Sequence, residues 1–236
     1  MFVPNDFFTV TALFMDWLVG TWAVFRKDLR IELRSRYALN SLLLFVLGAL
    51  LLVLFAVGPQ PLSARVQSAL LWIVMLFAAS IGLGRSFVAE QEQGTALLLR
   101  LNTRPSMVFA GKLLFNLLLV GVLTGLAVGA FLFLLDIAVR APGLLGATLV
   151  LGAVGLASAT TLLAALVARA SRRGPLLPVL LLPLLVPLLV SGTSATRTAF
   201  DGGAWTEAQD PLLTLVGFAG ATISAAVVLF DYVWAE

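Results

Sequence analysis

Neither cysteine nor histidine occurs anywhere in this 236-residue chain. Their absence excludes disulfides, zinc sites, iron–sulfur clusters, Cys–His catalysis and histidine-ligated haem within it. Charge is scarce as well. Only 11% of the residues are Asp, Glu, Lys or Arg, where a soluble domain carries roughly 25%. The net charge of +3 is too small to suggest a nucleic-acid partner. No GxxxxGK[ST] sequence is present, so the chain lacks the P-loop through which many proteins hold ATP. With no histidine there is also no Ser–His–Asp triad and no HExxH motif.

What fills the chain is hydrocarbon. Hydrophobic residues make up 61% of it, and its mean hydropathy is +1.06. A soluble fold of this size could not hide that much apolar surface. The sequence is therefore read as an all-α integral membrane protein. A spanning helix needs about 20 apolar residues. Six uncharged runs qualify: Ala38–Val57, Val66–Gly84, Leu113–Leu135, Ala141–Ala168, Gly174–Thr196 and Pro211–Phe230. They are continuously apolar rather than alternating, which argues against barrel strands. None holds an ionisable side chain, and ion-coupled carriers usually place such groups at mid-membrane.

The basic residues fall on alternate loops. Arg26, Lys27, Arg30, Arg34, Arg36, Arg85, Arg100, Arg104, Lys112, Arg169, Arg172 and Arg173 share one side, and only Arg65, Arg140 and Arg197 lie on the other. The positive-inside rule puts the rich side, and both ends of the six-span core, in the cytoplasm. A cytoplasmic (inner) membrane location follows. Residues 22–236 are expected to form a single six-helix domain. Residues 1–21 are expected to be an N-terminal extension, interfacial or disordered. They carry Asp6 and Asp16 without Lys or Arg, unlike a signal peptide. A seventh span over Phe7–Phe25 is the alternative, disfavoured by Asp16 at its centre, and Met15 is a second candidate start.

Four features are candidates for function. First, Trp22–Tyr37 reads as an amphipathic interfacial elbow helix. Trp22, Phe25, Leu29 and Leu33 share one face, Arg26, Lys27, Arg30 and Arg34 adjoin it, and Asp28 and Glu32 take the other flank. It is a membrane anchor, an elbow that touches a cytoplasmic partner, or both. Second, Arg85, Phe87, Glu90, Glu92 and Gly94 form a short loop helix stopped by glycine, which suits either docking of a soluble motor or an ordinary solvated loop. Third, Gly121, Gly125 and Gly129 repeat every fourth residue on one face of the third span, where small residues let helices approach closely. Packing is the preferred role there, with a substrate path as the alternative. Fourth, Pro183 and Pro187 interrupt the fifth span and mark either a static kink or a hinge.

Pieces of the chain, in order, resemble a known family. They are Glu32-Leu33-Arg34 in the basic entry helix, Gly58-Pro59 after the first span, Leu71-Trp72-Ile73-Val74 in the second, and Arg85-x-Phe87-x-x-Glu90-x-x-x-Gly94 with Lys112. Most specific is Arg172-Arg173-Gly174-Pro175-Leu176-Leu177 running into Leu182-Pro183-Leu184-Leu185-Val186-Pro187-Leu188-Leu189. Residues 22–236 thereby resemble the CcmB family, the membrane permease of the haem exporter ABC complex of cytochrome c maturation. One departure is Thr95-Ala96, where a further acidic residue is expected after the glycine.

The resemblance implies a type-2 ABC exporter permease with no catalytic residues of its own. It implies an ABC ATPase subunit that binds ATP, a haem-handling membrane subunit, a small accessory membrane peptide and an extracytoplasmic haem chaperone as partners. Haem would be the cargo of the complex rather than a cofactor of this chain. Three other classes compete with this reading: a generic exporter permease for a lipid, polysaccharide or drug, an ion-coupled carrier, and a membrane enzyme. The first shares every topological feature, and the residue inventory argues against the other two.

Overall fold

The computed structural model describes residues 6–58, 61–82, 103–167 and 176–235. Among these the regular structure is all helical, with no strand. Seven helices follow in order: α1 Asp6–Ser35, α2 Tyr37–Val57, α3 Ala64–Gly82, α4 Pro105–Leu134, α5 Pro142–Val167, α6 Leu176–Asp201 and α7 Gln209–Ala235. Among the described residues five stretches are long and apolar enough to cross a membrane: Leu39–Val57, Pro105–Leu134, Pro142–Val167, Leu180–Asp201 and Gln209–Leu229. The apolar helix Ala64–Ser80 is shorter. The chain is a multi-pass helical membrane protein.

α5 is the centre of the bundle. It contacts α4, α6 and α7, and 78% of its most apolar window is buried. Its sequence explains why. Gly152, Ala153, Gly155, Ala157, Ser158 and Ala159 keep its waist narrow on every side, so neighbours close in all round. α3 packs on α6, and α2 lies against α3 and α4. The hydroxyls of α5 do not cost a buried polar penalty. Thr148 donates to Leu144 O at 2.8 Å and Thr160 to Leu156 O at 2.6 Å, each one turn back.

Helix ends follow local chemistry. Arg104 is extended and Pro105 opens α4, where its missing N–H is harmless. At the other end Asp136 takes a positive φ of 47°, and Ile137 N–H reaches back to Leu132 O at 3.0 Å. That is the Schellman pattern. Between α1 and α2 stands one residue, Arg36, with φ 52°. A single left-handed residue turns one helix into the next.

Two expectations change. The elbow helix does not begin at Trp22. α1 is one helix from Asp6 to Ser35, so no break separates an extension at residues 1–21 from the segment that follows. Asp16 lies within it, with an exposed side chain. The third span does not begin at Leu113. α4 starts eight residues earlier at Pro105, and this brings Lys112 inside the helix.

Candidate functional site

One group of buried polar residues gathers where α1 crosses the start of α4. Small residues let the two helices touch. A Cβ on Gly111 would lie 2.7 Å from Val24 Cβ and 2.8 Å from Thr21 O. One on Gly20 would lie 2.5 Å from Met107 Sδ. Trp17 Nε1–H donates to Ser106 Oγ at 3.1 Å. Beside this seam the Lys112 ammonium donates to Asp28 Oδ2 at 3.2 Å. Lys112 is fully buried and Asp28 nearly so. Asp28 also meets Lys27 at 3.2 Å. One helical turn on from Asp28, the buried Glu32 accepts a hydrogen bond from Leu39 N–H at 3.0 Å. Leu39 is the third residue of α2, so a carboxylate of α1 caps the α2 N-terminus.

By sequence alone, Asp28 and Glu32 belong to a free flank and Lys112 to a loop. The structure corrects all three. Asp28 and Glu32 face inward, and Lys112 sits in α4 with a carboxylate beside it. One turn further along α4, Asn116 Nδ2 donates to Thr161 Oγ1 of α5 at 2.8 Å. Asn116 Oδ1 and Thr124 Oγ1 are buried with no hydrogen-bond partner. Polar groups thus follow the buried face of α4 from its basic end inward. The signal for this was present: Lys112, Asn116 and Thr124 recur at multiples of four in an otherwise apolar segment.

A second buried node joins three other helices. Trp72 of α3 is almost fully enclosed and donates through Nε1–H to Thr196 Oγ1 of α6 at 2.9 Å. Its ring lies against Gly152 of α5 and Gly192 of α6, so closely that a Cβ on either would overlap it. Nearby, Gly155 admits Leu188, and Ser158 and Thr222 hydroxyls meet at 2.7 Å across α5 and α7.

On α1, Trp22, Arg26, Arg30, Leu33 and Arg34 are exposed, while Phe25 and Leu29 are half-buried against the core. Gly121, Gly125 and Gly129 face outward, and among the described residues nothing lies within 4 Å of a Cβ at any of them. Among the described residues, then, none packs closely on these three glycines. Pro183 and Pro187 lie inside a continuous α6 and are exposed, whereas Leu181, Leu185 and Leu188 point inward. Arg85, Phe87, Glu90, Glu92 and Gly94 lie outside the described residues. Among the described residues no group of three or more His, Cys, Asp or Glu is placed to hold a metal ion.

These features define the class: a multi-pass helical membrane protein whose buried polar groups join helices to one another. The CcmB protein family model matches residues 19–232. The chain is 35% identical over 204 residues to heme exporter protein B of Rhodobacter capsulatus, covering 86% of this chain and 92% of that one. It is 34% identical over 182 residues to heme exporter protein B of Bradyrhizobium diazoefficiens, covering 76% and 82%. With heme exporter protein B of Paracoccus denitrificans the identity is 32% over 204 residues, covering 86% and 91%. The chain belongs to the CcmB family.

Proposed function

We propose that this chain is the membrane permease subunit of an ATP-driven ABC complex that serves haem delivery for c-type cytochrome biogenesis. The observation that carries this is the family match across residues 19–232, with relatives named heme exporter protein B aligned over most of their length. In this reading the chain has six spans of the type-2 exporter class in the cytoplasmic membrane, with α3 as the shortest. ATP is bound by a separate ATPase subunit. A haem-handling membrane subunit, a small accessory membrane peptide and an extracytoplasmic haem chaperone complete the assembly.

Two mechanisms fit such a subunit: passage of haem through it, or ATP-driven release of the loaded chaperone. The second is favoured. The chain has no histidine or cysteine to serve as an axial ligand. Several of its buried polar groups join helices to one another instead.

Coupling to the ATPase is assigned to the segment Arg85–Gly94, with Phe87 and the carboxylates of Glu90 and Glu92 as its contacts. α1 serves as the elbow, joined to α4 through Asp28 and Lys112. Motion delivered near the start of α4 would reach α1 directly. The test is co-purification. The tagged chain in mild detergent should recover a P-loop ATPase, and Glu90→Lys with Glu92→Lys should weaken that recovery by charge reversal. Normal ATPase recovery and normal ATPase stimulation in the double variant would overturn the coupling assignment. Unimpaired c-type cytochromes in a strain lacking the gene would overturn the function.

A further inference from the structure

We propose that α1 and α4 form a binding site for one anionic phospholipid, with an acyl chain in the groove between them and the headgroup phosphate on Arg26 and Arg30. Such a site requires only the chain's embedding in a bilayer. It does not depend on what the complex transports.

The groove opens where the close α1–α4 contact at Gly111 ends. It has a volume of about 540 Å³ and is lined by Trp22 and Phe25 on α1 and by Leu114, Leu118, Gly121 and Val122 on α4. The Trp22 and Phe25 ring centroids are 5.0 Å apart, forming one aromatic wall. No lining residue has a charged side chain, so the groove offers hydrocarbon a surface and a water-soluble ligand almost nothing. From Leu114 to Val122 the helix rises about 12 Å at about 1.5 Å per residue. One leaflet contributes about half of a roughly 30 Å hydrocarbon core. The groove therefore matches the depth of one leaflet.

Charge selects the headgroup. Arg26 follows Phe25 in sequence and lies one turn from Trp22, and Arg30 stands one turn further along. Both are exposed, and among the described residues neither carries an ion pair. The nearby acidic groups are turned away and occupied: Asp28 faces Lys112, and Glu32 caps α2. The rim of the groove is thus cationic even though the helix itself carries carboxylates. Two guanidinium groups at one-turn spacing suit a phosphate, which they can grip through paired N–H donors. A phospholipid is the ligand that joins such a phosphate to a chain one leaflet deep.

The test reconstitutes the full chain in phosphatidylcholine nanodiscs doped with either dibrominated phosphatidylglycerol or dibrominated phosphatidylcholine. Bromine quenches tryptophan fluorescence on contact. The chain has five tryptophans, so the Trp22 signal is taken as the difference between wild type and Trp22→Phe. That signal should be quenched at a several-fold lower mole fraction of brominated phosphatidylglycerol than of brominated phosphatidylcholine. Arg26→Gln with Arg30→Gln should abolish the preference, at about a fivefold loss per arginine. Arg26→Lys with Arg30→Lys should keep most of it. Equal quenching by the two lipids, or a preference that survives the double glutamine variant, would overturn the headgroup site. No quenching of Trp22 by either lipid would mean that protein fills the groove, and would overturn the proposal entirely.

Discussion

Lys112 and Asp28 are 84 residues apart in sequence, yet their side chains meet at 3.2 Å with both charges withdrawn from solvent. Such a pair is a poor source of net stability but an expensive thing to break. Removing one partner of a buried pair typically costs about 3–5 kcal/mol, whereas replacing both with apolar residues is often neutral. Asp28→Ala should therefore destabilise the folded chain by up to about 3 kcal/mol, and Lys112→Ala by less, because Lys27 stays beside Asp28. Asp28→Leu with Lys112→Met should recover much of that loss. Denaturant titration of the purified chain in detergent measures it, and additive losses in the double variant would contradict the coupling.

The α1–α2 corner gives a second prediction. Glu32 supplies the acceptor that Leu39 N–H needs at the start of α2. Losing such a cap costs about 1 kcal/mol. Glu32→Ala should lower stability by about that much, and Glu32→Gln, which keeps an oxygen in place, by less. Arg36 next to it holds a left-handed backbone, where a residue with a Cβ pays about 1–2 kcal/mol. Arg36→Gly should be tolerated and Arg36→Val should not. Thermal unfolding of the two variants side by side decides this.

Around Trp72 the expectation is overpacking. A methyl group on Gly152 or Gly192 would overlap the indole, and overfilling a tight core costs about 1–3 kcal/mol. Gly152→Ala should reduce the folded fraction, seen as aggregation on size-exclusion chromatography. Gly121→Ala, Gly125→Ala and Gly129→Ala should not, because among the described residues nothing lies within 4 Å of a Cβ at any of them. Loss of complex assembly with an intact monomer in those last variants would assign the glycine stripe to a partner helix.

For α6 the prediction separates two roles of its prolines. Pro183 and Pro187 are exposed and α6 passes through both without breaking. Pro183→Ala with Pro187→Ala restores two backbone N–H donors. A hinge predicts normal assembly and ATPase binding with failed cytochrome c maturation. A static kink predicts poor assembly, with maturation falling in step. Normal assembly with normal maturation rules out both.

The spans were legible because a bilayer imposes one demand on every one of them: long apolar runs with charge kept at the ends. The helices α2, α5 and α7 fall within a few residues of the runs at Ala38–Val57, Ala141–Ala168 and Pro211–Phe230. The candidate site was less legible. Asp28 and Glu32 sit beside four basic residues, and local pattern alone makes them look solvated. Their burial depends on α4, which lies far along the chain. Lys112 looks like a loop residue because a charge ends an uncharged run, yet a helix continues past a lysine whose partner arrives from another helix. The outward glycines mislead in the opposite sense. Their spacing states that something can approach closely but not whether it belongs to the same chain.

The indole of Trp72 also constrains how this sequence can drift. It occupies space that Gly152 and Gly192, on two other helices, leave free. Neither glycine can grow while the tryptophan remains, and once the tryptophan shrinks both are released together, leaving a void that larger residues would fill. The three positions therefore share one volume and should change as a set. Within homologous chains, a smaller residue at position 72 should be accompanied by side chains at 152 or 192. A pair of adjacent lineages differing at only one of the three would mark a local repacking of α3, α5 and α6.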